Sequence, residues 1–348
     1  MIFQKYSLNI FPVLMVCYLI TVCASCNNPA SKKIIEVSNI KMNYQSIRFD
    51  SLLFACDTND IASSVNKLGN QYPDFASVYF NEMTGFSKGN DTALFNQSVR
   101  HFLTYKDFRG LNDTVQKKFP NTIEIDKQLE TVFKHVAFYF PKEKYGTVYY
   151  FTSGLNSWSA VTVDTLVGVG LDMYLGANYP FYNSVQLPAY QIERCEKEYI
   201  PVNVSKAIYE NIVPFDASGK TLLDLMISKG KQQVFAEYTN PTIKDEILIG
   251  YKTAQLKWAQ NNEAMAWNYF AEKKLLYSTQ WQEMMRYVTD GPTSTGMPAK
   301  SPGNIGTYIG WQIVRKYIEN HPEEKLADIL TSKTDGQSFL RESGYKPR

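Results

Sequence analysis

The residue types that most often carry catalysis are few in this sequence and far apart. Its three histidines are His101, His135 and His321, and none has a second histidine three to five residues away. The zinc-binding helix motifs H-E-x-x-H and H-x-x-E-H are therefore absent from the sequence, as are the G-x-x-x-x-G-K-[ST] phosphate loop and the dinucleotide-binding fingerprint. This pattern predicts no catalytic residues, no metal ligands and no cofactor. His135 borders an apolar run, which favours a structural role for it.

Two carboxylates could in principle act as an acid and a base. Asp164 and Asp172 occupy the same face of a strand predicted at residues 161–171 and its direct continuation. Eight residues of strand separate them by roughly 26 Å, which is too far for an acid and a base acting on one bond. We therefore predict that the protein is not an enzyme, while an envelope hydrolase with an unrecognised site stays open as an alternative.

The chain begins with an apolar segment that ends in Cys23 and Cys26. These cysteines could be a metal pair, half of a disulfide, or a point of cleavage and attachment. Lys5 precedes the apolar residues 10–22, a stretch of signal-peptide length that is too short for the usual membrane span. Two small residues then stand directly before Cys26.

This arrangement resembles the lipobox of bacterial lipoproteins. In that pattern the cysteine thiolate, a strong nucleophile, receives a diacylglyceryl group. Cleavage falls just before the cysteine, and its new amino terminus is acylated by a fatty acid such as palmitate. The resemblance implies a signal peptide over residues 1–25 and lipid attachment at Cys26. Cys23 departs from the pattern, which usually has leucine at this position. The alternative is an unmodified Cys26 within an uncleaved anchor helix.

The composition indicates a globular protein with an ordinary charge balance. Of 348 residues, 44% are hydrophobic and 20% are charged, and the net charge is +2 with no basic patch, so nucleic acid is not expected as a partner. Residues 26–46 are predicted to form a tether, and residues 47–348 a single globular α+β domain. Cys56 and Cys195 lie in that domain, where they either pair in an oxidising compartment or are buried thiols.

The first half of the domain contains the predicted strands. Residues 47–55 are expected to form a strand leading into a helix, and β-rich runs follow at residues 136–140, 147–152 and 161–171. Gly168 and Gly170 leave one face of the last strand bare. A bare face allows another backbone or a ligand to approach closely, and a bulge or bend is the alternative.

The second half is predicted to be rich in helices. A helix over residues 220–230 is expected to stop at Gly230, and a helical stripe over residues 242–278 to be interrupted at Asn261–Asn262. Another helix covers residues 305–318 and ends before His321–Pro322. Three glycines at helical spacing predict close helix packing there: Gly303, Gly306 and Gly310.

Several stretches together resemble the gliding-motility lipoprotein GldB family, and they cover most of the chain after Cys26. They are R48-F-D50, V167-G-V-G-L-D-M-Y-L-G-A-N-Y-P-F-Y182, I227-S-K-G-K231, Q255-L-K-W-A-Q-N-N-E263, L275-L-Y-S278, Pro302 to Tyr317 (PGNIGTYIGWQIVRKY) and Gly344 to Pro347 (GYKP). The resemblance implies a lipid-anchored envelope protein required for surface gliding. Other envelope proteins of the gliding and secretion machinery are then its expected partners.

The order of strands and helices is also similar to that of zincin-like metallopeptidases. In those enzymes the helices after the cleft strand supply two histidines and a glutamate. Here residues 200–212 contain no histidine, and Lys229 stands where a glutamate would be expected. A lysine disfavours a bound cation, so the similarity implies a scaffold of this kind without its metal.

The segment after the glycine-bearing strand is the predicted binding cleft. It mixes polar, aromatic and glycine residues, and the cleft is expected at Asp172, Met173, Tyr174, Leu175, Gly176 and Tyr179. A strand end followed by a turn is the alternative. The resulting hypothesis is a non-catalytic binding or structural component of the envelope, with a solute-binding lipoprotein as a further alternative.

Overall fold

Four short strands form one mixed sheet near the middle of the protein. The computed structural model describes residues 35–86 and 91–348. The strands are β1 (Gln45–Arg48), β2 (Thr147–Phe151), β3 (Ala160–Val163) and β4 (Leu166–Gly170). Their order is β1-β2-β4-β3, with β1 and β4 parallel to β2 and β3 antiparallel to β4. The predicted α+β class with mixed strands is confirmed.

The strand predicted over residues 161–171 is wrong as a single element. The chain reverses between β3 and β4, so that Val163 pairs with Leu166. Asp164 has a φ of 52° at this reversal, a left-handed conformation that aspartate tolerates better than most residues. The two-residue turn brings both halves of the apolar run into one hairpin.

Helices surround the sheet in both halves of the chain, rather than mainly in the second half. Those before β2 are α1 (Phe49–Phe54), α2 (Ile61–Gln71), α3 (Pro73–Val78), α4 (Thr92–Thr104), α5 (Lys106–Lys118) and α6 (Ile123–Tyr139), with a π-helical turn at Tyr79–Met83. Those after β4 are α7 (Phe181–Ser184), α8 (Ala189–Ile192), α9 (Ile200–Ile212), α10 (Leu222–Thr239), α11 (Asp245–Ile249), α12 (Thr253–Asn261), α13 (Glu263–Glu272), α14 (Trp281–Val288), α15 (Ile305–Asn320), α16 (Leu326–Thr331) and α17 (Gly336–Ser343). Short 3₁₀ turns lie at Leu171–Tyr174, Lys197–Tyr199 and Leu275–Tyr277.

The predicted strand at residues 136–140 is also wrong, because Val136 lies in the last turns of α6. Buried residues of α6 recur at Ile125, Leu129, Val132 and Val136, which is the three-to-four spacing of an amphipathic helix. That long stripe outweighs the local β propensity of its aromatic end. The strand leading into a helix at residues 47–55 and the strand at 147–152 are confirmed as β1–α1 and β2.

The two faces of the sheet bury two different hydrophobic clusters. Side chains alternate along a strand, so Val148 and Tyr150 of β2 pack into a large cluster formed mostly by helices from α5 onward. Tyr149 and Phe151 point the other way, into a smaller cluster formed with α1 to α4 that is rich in aromatic rings. We call this smaller cluster the aromatic core.

Backbone and rings fill the space that Gly168 and Gly170 leave on the aromatic-core face. A Cβ atom on Gly168 would lie 2.8 Å from Val161 Cγ1 and 3.0 Å from Phe151 Cε1, and one on Gly170 would overlap the carbonyl oxygen of Trp158. The close approach predicted for this face is therefore made by the protein itself.

The two longest helices of the second half, α10 and α15, touch through their backbones. Gly230 does not stop α10 as predicted, because α10 continues to Thr239. A Cβ atom on Gly230 would overlap backbone atoms of Gly310 in α15, and one on Gly310 would overlap the carbonyl group of Met226 in α10. The predicted close packing of glycines is confirmed for these two helices, although Gly303 lies just before α15 begins.

Other predicted boundaries agree in part. The interruption at Asn261–Asn262 separates α12 from α13, and α15 ends directly before His321. The stripe predicted to begin at residue 242 is divided between α11 and α12, where Gly250 takes a φ of 77° and ends α11.

Residues Glu36–Arg348 form one compact unit. Within residues 35–86 and 91–348, no helix combines the length and the apolar character that crossing a membrane requires. The predicted signal peptide, Cys23 and Cys26 lie outside the described residues.

The contact between α10 and α15 can be tested with Gly310→Ala. Overpacking costs about 1–3 kcal/mol when side chains can adjust. Backbone atoms of α10 stand in the way here, so we expect the free energy of unfolding to fall by about 3 kcal/mol or more. Chemical denaturation followed by circular dichroism measures the change.

The matched control is Gly110→Ala in α5. No atom lies within 4 Å of a Cβ placed there, and replacing a helical glycine by alanine stabilises by about 0.5–1 kcal/mol. Equal stability of the two variants would contradict the backbone contact between α10 and α15.

Candidate functional site

Asp172 lies inside the protein, in the 3₁₀ turn that follows β4. Its side chain is 0% exposed. The carboxylate oxygen Oδ2 accepts hydrogen bonds from the backbone N of Ser153 (2.9 Å), the hydroxyl of Ser153 (3.0 Å) and the backbone N of Leu155 (2.8 Å). Oδ1 is buried and has no hydrogen-bond partner among the described residues. Asp172 therefore braces residues 152–159, which we call the β2–β3 loop.

The neighbours of Asp172 in the predicted cleft are mostly interior as well. Tyr174 is 1% exposed and its hydroxyl accepts a hydrogen bond from the side-chain amide of Asn203 (2.9 Å). Gly176 takes a φ of 107°, and Tyr179 is half-buried against Tyr182, with ring centroids 5.2 Å apart. The segment predicted as a cleft edge thus lies behind the β2–β3 loop, and its role in binding stays a prediction.

The β2–β3 loop has an unusual backbone. Gly154, Leu155 and Ser157 have φ values of 75°, 64° and 64°. A left-handed conformation is ordinary for glycine but costly for a leucine, and such strain persists only where the surroundings enforce it. The hydrogen bond from Leu155 N to Asp172 provides that constraint.

One wall of a cavity of about 530 Å³ is formed by the β2–β3 loop. The rest of the lining comes from the end of the π-helical turn, from α4 and from the start of α5. The lining residues are Thr84, Phe86, Leu94, Gln97, Ser98, His101, Phe102, Phe108, Ser153, Gly154 and Asn156.

A second backbone irregularity borders the same cavity. The π-helical turn Tyr79–Met83 ends at Thr84, whose hydroxyl donates to the carbonyl oxygen of Tyr79 (3.0 Å). The hydroxyl of Tyr79 in turn donates to the carbonyl oxygen of Thr152 (2.8 Å) at the start of the β2–β3 loop. π-Helical turns are rare and occur often at functional sites. The π-helical turn and the β2–β3 loop are thus joined by a hydrogen bond, and the cavity lies beside both.

The cavity is aromatic, and the described residues of its lining include no aspartate, glutamate, lysine or arginine. The ring of Phe102 lies 5.4 Å from that of Phe86 and 4.7 Å from that of Phe108, measured between centroids. Two hydroxyl groups are committed to internal acceptors, since Ser98 donates to the carbonyl oxygen of Leu94 (2.9 Å) and Ser153 donates to Asp172.

Three polar side chains of the lining are available to a bound molecule. Gln97, His101 and Asn156 are exposed, and their side chains make no hydrogen bond to another described residue. Composition or spacing could not have identified this set, because Asn156 lies more than 50 residues after the helix that carries Gln97 and His101.

Neither of the two described serines in the lining donates a hydrogen bond to a histidine. The hydroxyl of Ser153 donates to the carboxylate of Asp172, and that of Ser98 donates to a backbone carbonyl. Gly85–Gly89 (GFSKG) also has the G-x-S-x-G pattern. In hydrolases this pattern follows a strand, whereas here it follows the π-helical turn, and Ser87 lies outside the described residues.

Lys229, the residue considered for a vestigial zinc site, contacts polar groups of α9 and α10. Its ammonium lies 3.4 Å from Glu210 Oε1 and 3.4 Å from Gln232 Oε1. No group of three or more histidine, cysteine, aspartate or glutamate residues within the described ranges could hold a metal ion. The similarity to metallopeptidases stays a prediction.

All three histidines contact neighbouring groups, and both described cysteines are unpaired. The ring of His101 lies 5.0 Å from that of Tyr105, measured between centroids. Nδ1 of His135 lies 2.9 Å from the carbonyl oxygen of Thr131, one helical turn earlier. His321 stacks on Tyr317 with centroids 4.1 Å apart. Cys56 and Cys195 are free thiols, and burial raises the pKa of Cys195 to about 11.

Comparison with known protein families gives one match. The family model described as gliding motility protein GldB matches residues 30–347, nearly the whole chain. No curated protein and no solved structure matches the sequence.

The burial of Asp172 predicts a pH dependence of stability. Burial raises the pKa of Asp172 from 3.8 to about 6, so the folded protein takes up this proton at a higher pH than the unfolded chain. The stability that Asp172 contributes therefore rises as the pH falls from about 6 towards about 4, by at most about 3 kcal/mol.

Asp172→Asn removes this titration. Urea unfolding at pH 7 and pH 4.5 should show that the wild type gains stability relative to the variant at the lower pH. Asp164→Asn, which removes an exposed carboxyl from the β3–β4 turn, is the control. If the difference in unfolding free energy between the wild type and Asp172→Asn does not change with pH, Asp172 does not titrate as a buried carboxyl.

Proposed function

Because this chain belongs to the family of gliding motility protein GldB, we propose that it is a lipid-anchored, non-catalytic binding component of the envelope gliding apparatus. Its partners are other envelope proteins of the gliding machinery. The observation that supports the binding role is the aromatic cavity, where the side chains of Gln97, His101 and Asn156 make no hydrogen bond to another described residue.

The proposed anchor is Cys26, which follows an apolar stretch and two small residues. Diacylglyceryl on its thiol and a fatty acid on its amino group would give two or three acyl chains. A single acyl chain gives only marginal membrane binding, whereas two or more hold a protein stably. The polar residues that follow Cys26 would then link the bilayer to the folded unit, which places the protein in the cell envelope.

The proposed binding surface is the cavity rather than the segment from Asp172 to Tyr179. That segment is mostly buried and positions the β2–β3 loop. Binding at the cavity needs no change in the fold, because its walls are held by Asp172 and by Tyr79. A solute-binding lipoprotein is the second candidate, because a volume of about 530 Å³ also suits a small molecule.

The lipid anchor is tested with Cys26→Ala. We expect loss of incorporation of an alkyne-labelled fatty acid into the full chain, because alanine has no thiol to accept the diacylglyceryl group. Cys23→Ala is the matched control and should keep the label. Label should be read together with membrane fractionation, since an uncleaved leader can itself retain the protein. Persistent labelling of Cys26→Ala would exclude this residue as the attachment site.

The role of the cavity is tested with Ser98→Phe, which fills it from α4. In a gliding host that lacks its own copy, we expect this variant to accumulate normally but fail to restore gliding. Thr104→Phe is the matched control, because Thr104 lies on the same helix, donates the same kind of hydrogen bond to the backbone (2.8 Å to Arg100) and does not line the cavity.

Ser87→Ala separates binding from hydrolysis in the same assay. If the protein is a binding component without a serine nucleophile, cells that carry this variant should glide normally. If it is a hydrolase that uses the G-x-S-x-G serine, they should not. Normal gliding of Ser98→Phe, with the protein present at wild-type levels, would remove the cavity from the proposed function.

A further inference from the structure

We propose that the end of α6 that carries Phe138 faces the lipid bilayer, and that this contact orients the folded unit on the membrane that holds its anchor. The inference rests on the proposed lipid attachment at Cys26 and adds a second, non-covalent contact to it. It follows from the aromatic side chains at the end of α6, from the course of the chain before β1, and from the charge of this region.

Aromatic side chains are partly exposed where the C-terminal ends of α6 and α10 meet. Phe138 is 47% exposed, and its ring lies edge to face with that of Tyr139, with centroids 5.0 Å apart. Tyr139 contacts Tyr238 of α10 in the same manner at 5.6 Å, and both tyrosines are half-buried. Tyrosine combines an apolar ring with a polar hydroxyl and is enriched where a bilayer meets water. We call Phe138, Tyr139 and Tyr238 the aromatic surface.

The described chain begins beside the half of α6 that carries this surface. The hydroxyl of Tyr44 donates a hydrogen bond to Asp126 in the first turn of α6 (2.8 Å). Eight residues earlier, the carboxylate of Glu36 lies close enough to His135 for an electrostatic interaction. The chain between them therefore follows α6, and its earlier end lies towards the C-terminal end of the helix. Residues three apart on a helix are neighbours on one face, about 5–6 Å apart, so Phe138 adjoins His135.

The length of the tether limits how far the anchor can stand from this surface. Cys26 and Ile35 are nine residues apart in the sequence. A fully extended chain spans at most about 3.6 Å per residue, or about 32 Å over this stretch. The covalent chain therefore keeps the aromatic surface within reach of a bilayer that holds acyl chains on Cys26.

The same region is positively charged in the sequence. Residues 27–46 and 130–144 together contain six lysines and three glutamates, a net charge of +3, whereas the whole chain has a net charge of +2. The rest of the chain therefore carries −1. Two of these lysines, Lys142 and Lys144, directly follow α6 and are exposed. This charge complements anionic lipid headgroups, whereas a second copy that presented the same face would be repelled.

The experiment measures quenching of tryptophan fluorescence by brominated lipid. Phe138→Trp and Ile123→Trp are each made in the full, lipidated chain, which is reconstituted in vesicles of brominated phosphatidylcholine and phosphatidylglycerol. Ile123 is the matched position, because it is 57% exposed at the opposite end of α6, roughly 22 Å away along the helix. A side chain that enters the bilayer interface lies about 5–10 Å deep, so we expect bromine to quench the fluorescence added by Phe138→Trp and to spare that added by Ile123→Trp.

The double variant Lys142→Gln and Lys144→Gln tests the electrostatic contribution. It should weaken the quenching of Phe138→Trp in vesicles that contain phosphatidylglycerol and leave it unchanged in vesicles of brominated phosphatidylcholine alone. Equal quenching of Phe138→Trp and Ile123→Trp would overturn the proposed orientation, and the aromatic surface would then face water or another protein. Quenching that the double variant leaves intact in both kinds of vesicle would overturn the role of the lysines.

Failure of this inference differs from failure of the proposed anchor. Fatty-acid label at Cys26 without selective quenching of Phe138→Trp would keep the anchor and remove the orientation. Selective quenching of Phe138→Trp in a vesicle-bound chain that carries no label would support the contact with the bilayer and remove the acyl anchor.

Discussion

The geometry of the site depends on one buried carboxylate. Asp172 stands at the end of β4, where the strand leaves the sheet, and gathers two backbone amides and one hydroxyl of the β2–β3 loop. A buried carboxylate is unfavourable by itself, but hydrogen bonds to its charged form offset part of that cost. These bonds also compensate the strain of Leu155 in a left-handed conformation. The position of the cavity wall is thus fixed by the sheet.

The sheet divides the protein into parts with different roles. On one face, the helices of the second half form a large core in which α10 and α15 meet through glycine backbones, an arrangement that leaves little freedom to shift. On the other face, the aromatic core carries the cavity. Its boundary includes the π-helical turn, in which Thr84 N donates to the carbonyl oxygen of Tyr79, and the irregular β2–β3 loop. The large core thus supports the boundary of the cavity through β2 and β4.

The sequence allowed the fold class and many elements to be predicted, because hydrophobic periodicity and turn residues are local signals. Helix α15, its glycines and its end before His321 follow from such signals, as does the entry from β1 into α1. Elements were predicted wrongly where the propensity of a few residues competed with a hydrophobic pattern or a packing contact that extends over more of the chain. The aromatic end of α6 has strand propensity but belongs to a long helical stripe, and Gly230 resembles a helix stop but is a packing contact.

The candidate site was predictable only in part. Asp172 was singled out from the sequence, but its position suggested a cleft surface, whereas its role is internal. The cavity could not be found from the sequence, because Gln97, His101 and Asn156 come together only through the packing of α4 against the β2–β3 loop. The side chains of Gln97 and Asn156 make no hydrogen bond to another described residue, so substitutions there leave intact the hydrogen bonds that shape the wall. The shape of the wall and the polar groups on its surface can therefore be varied independently.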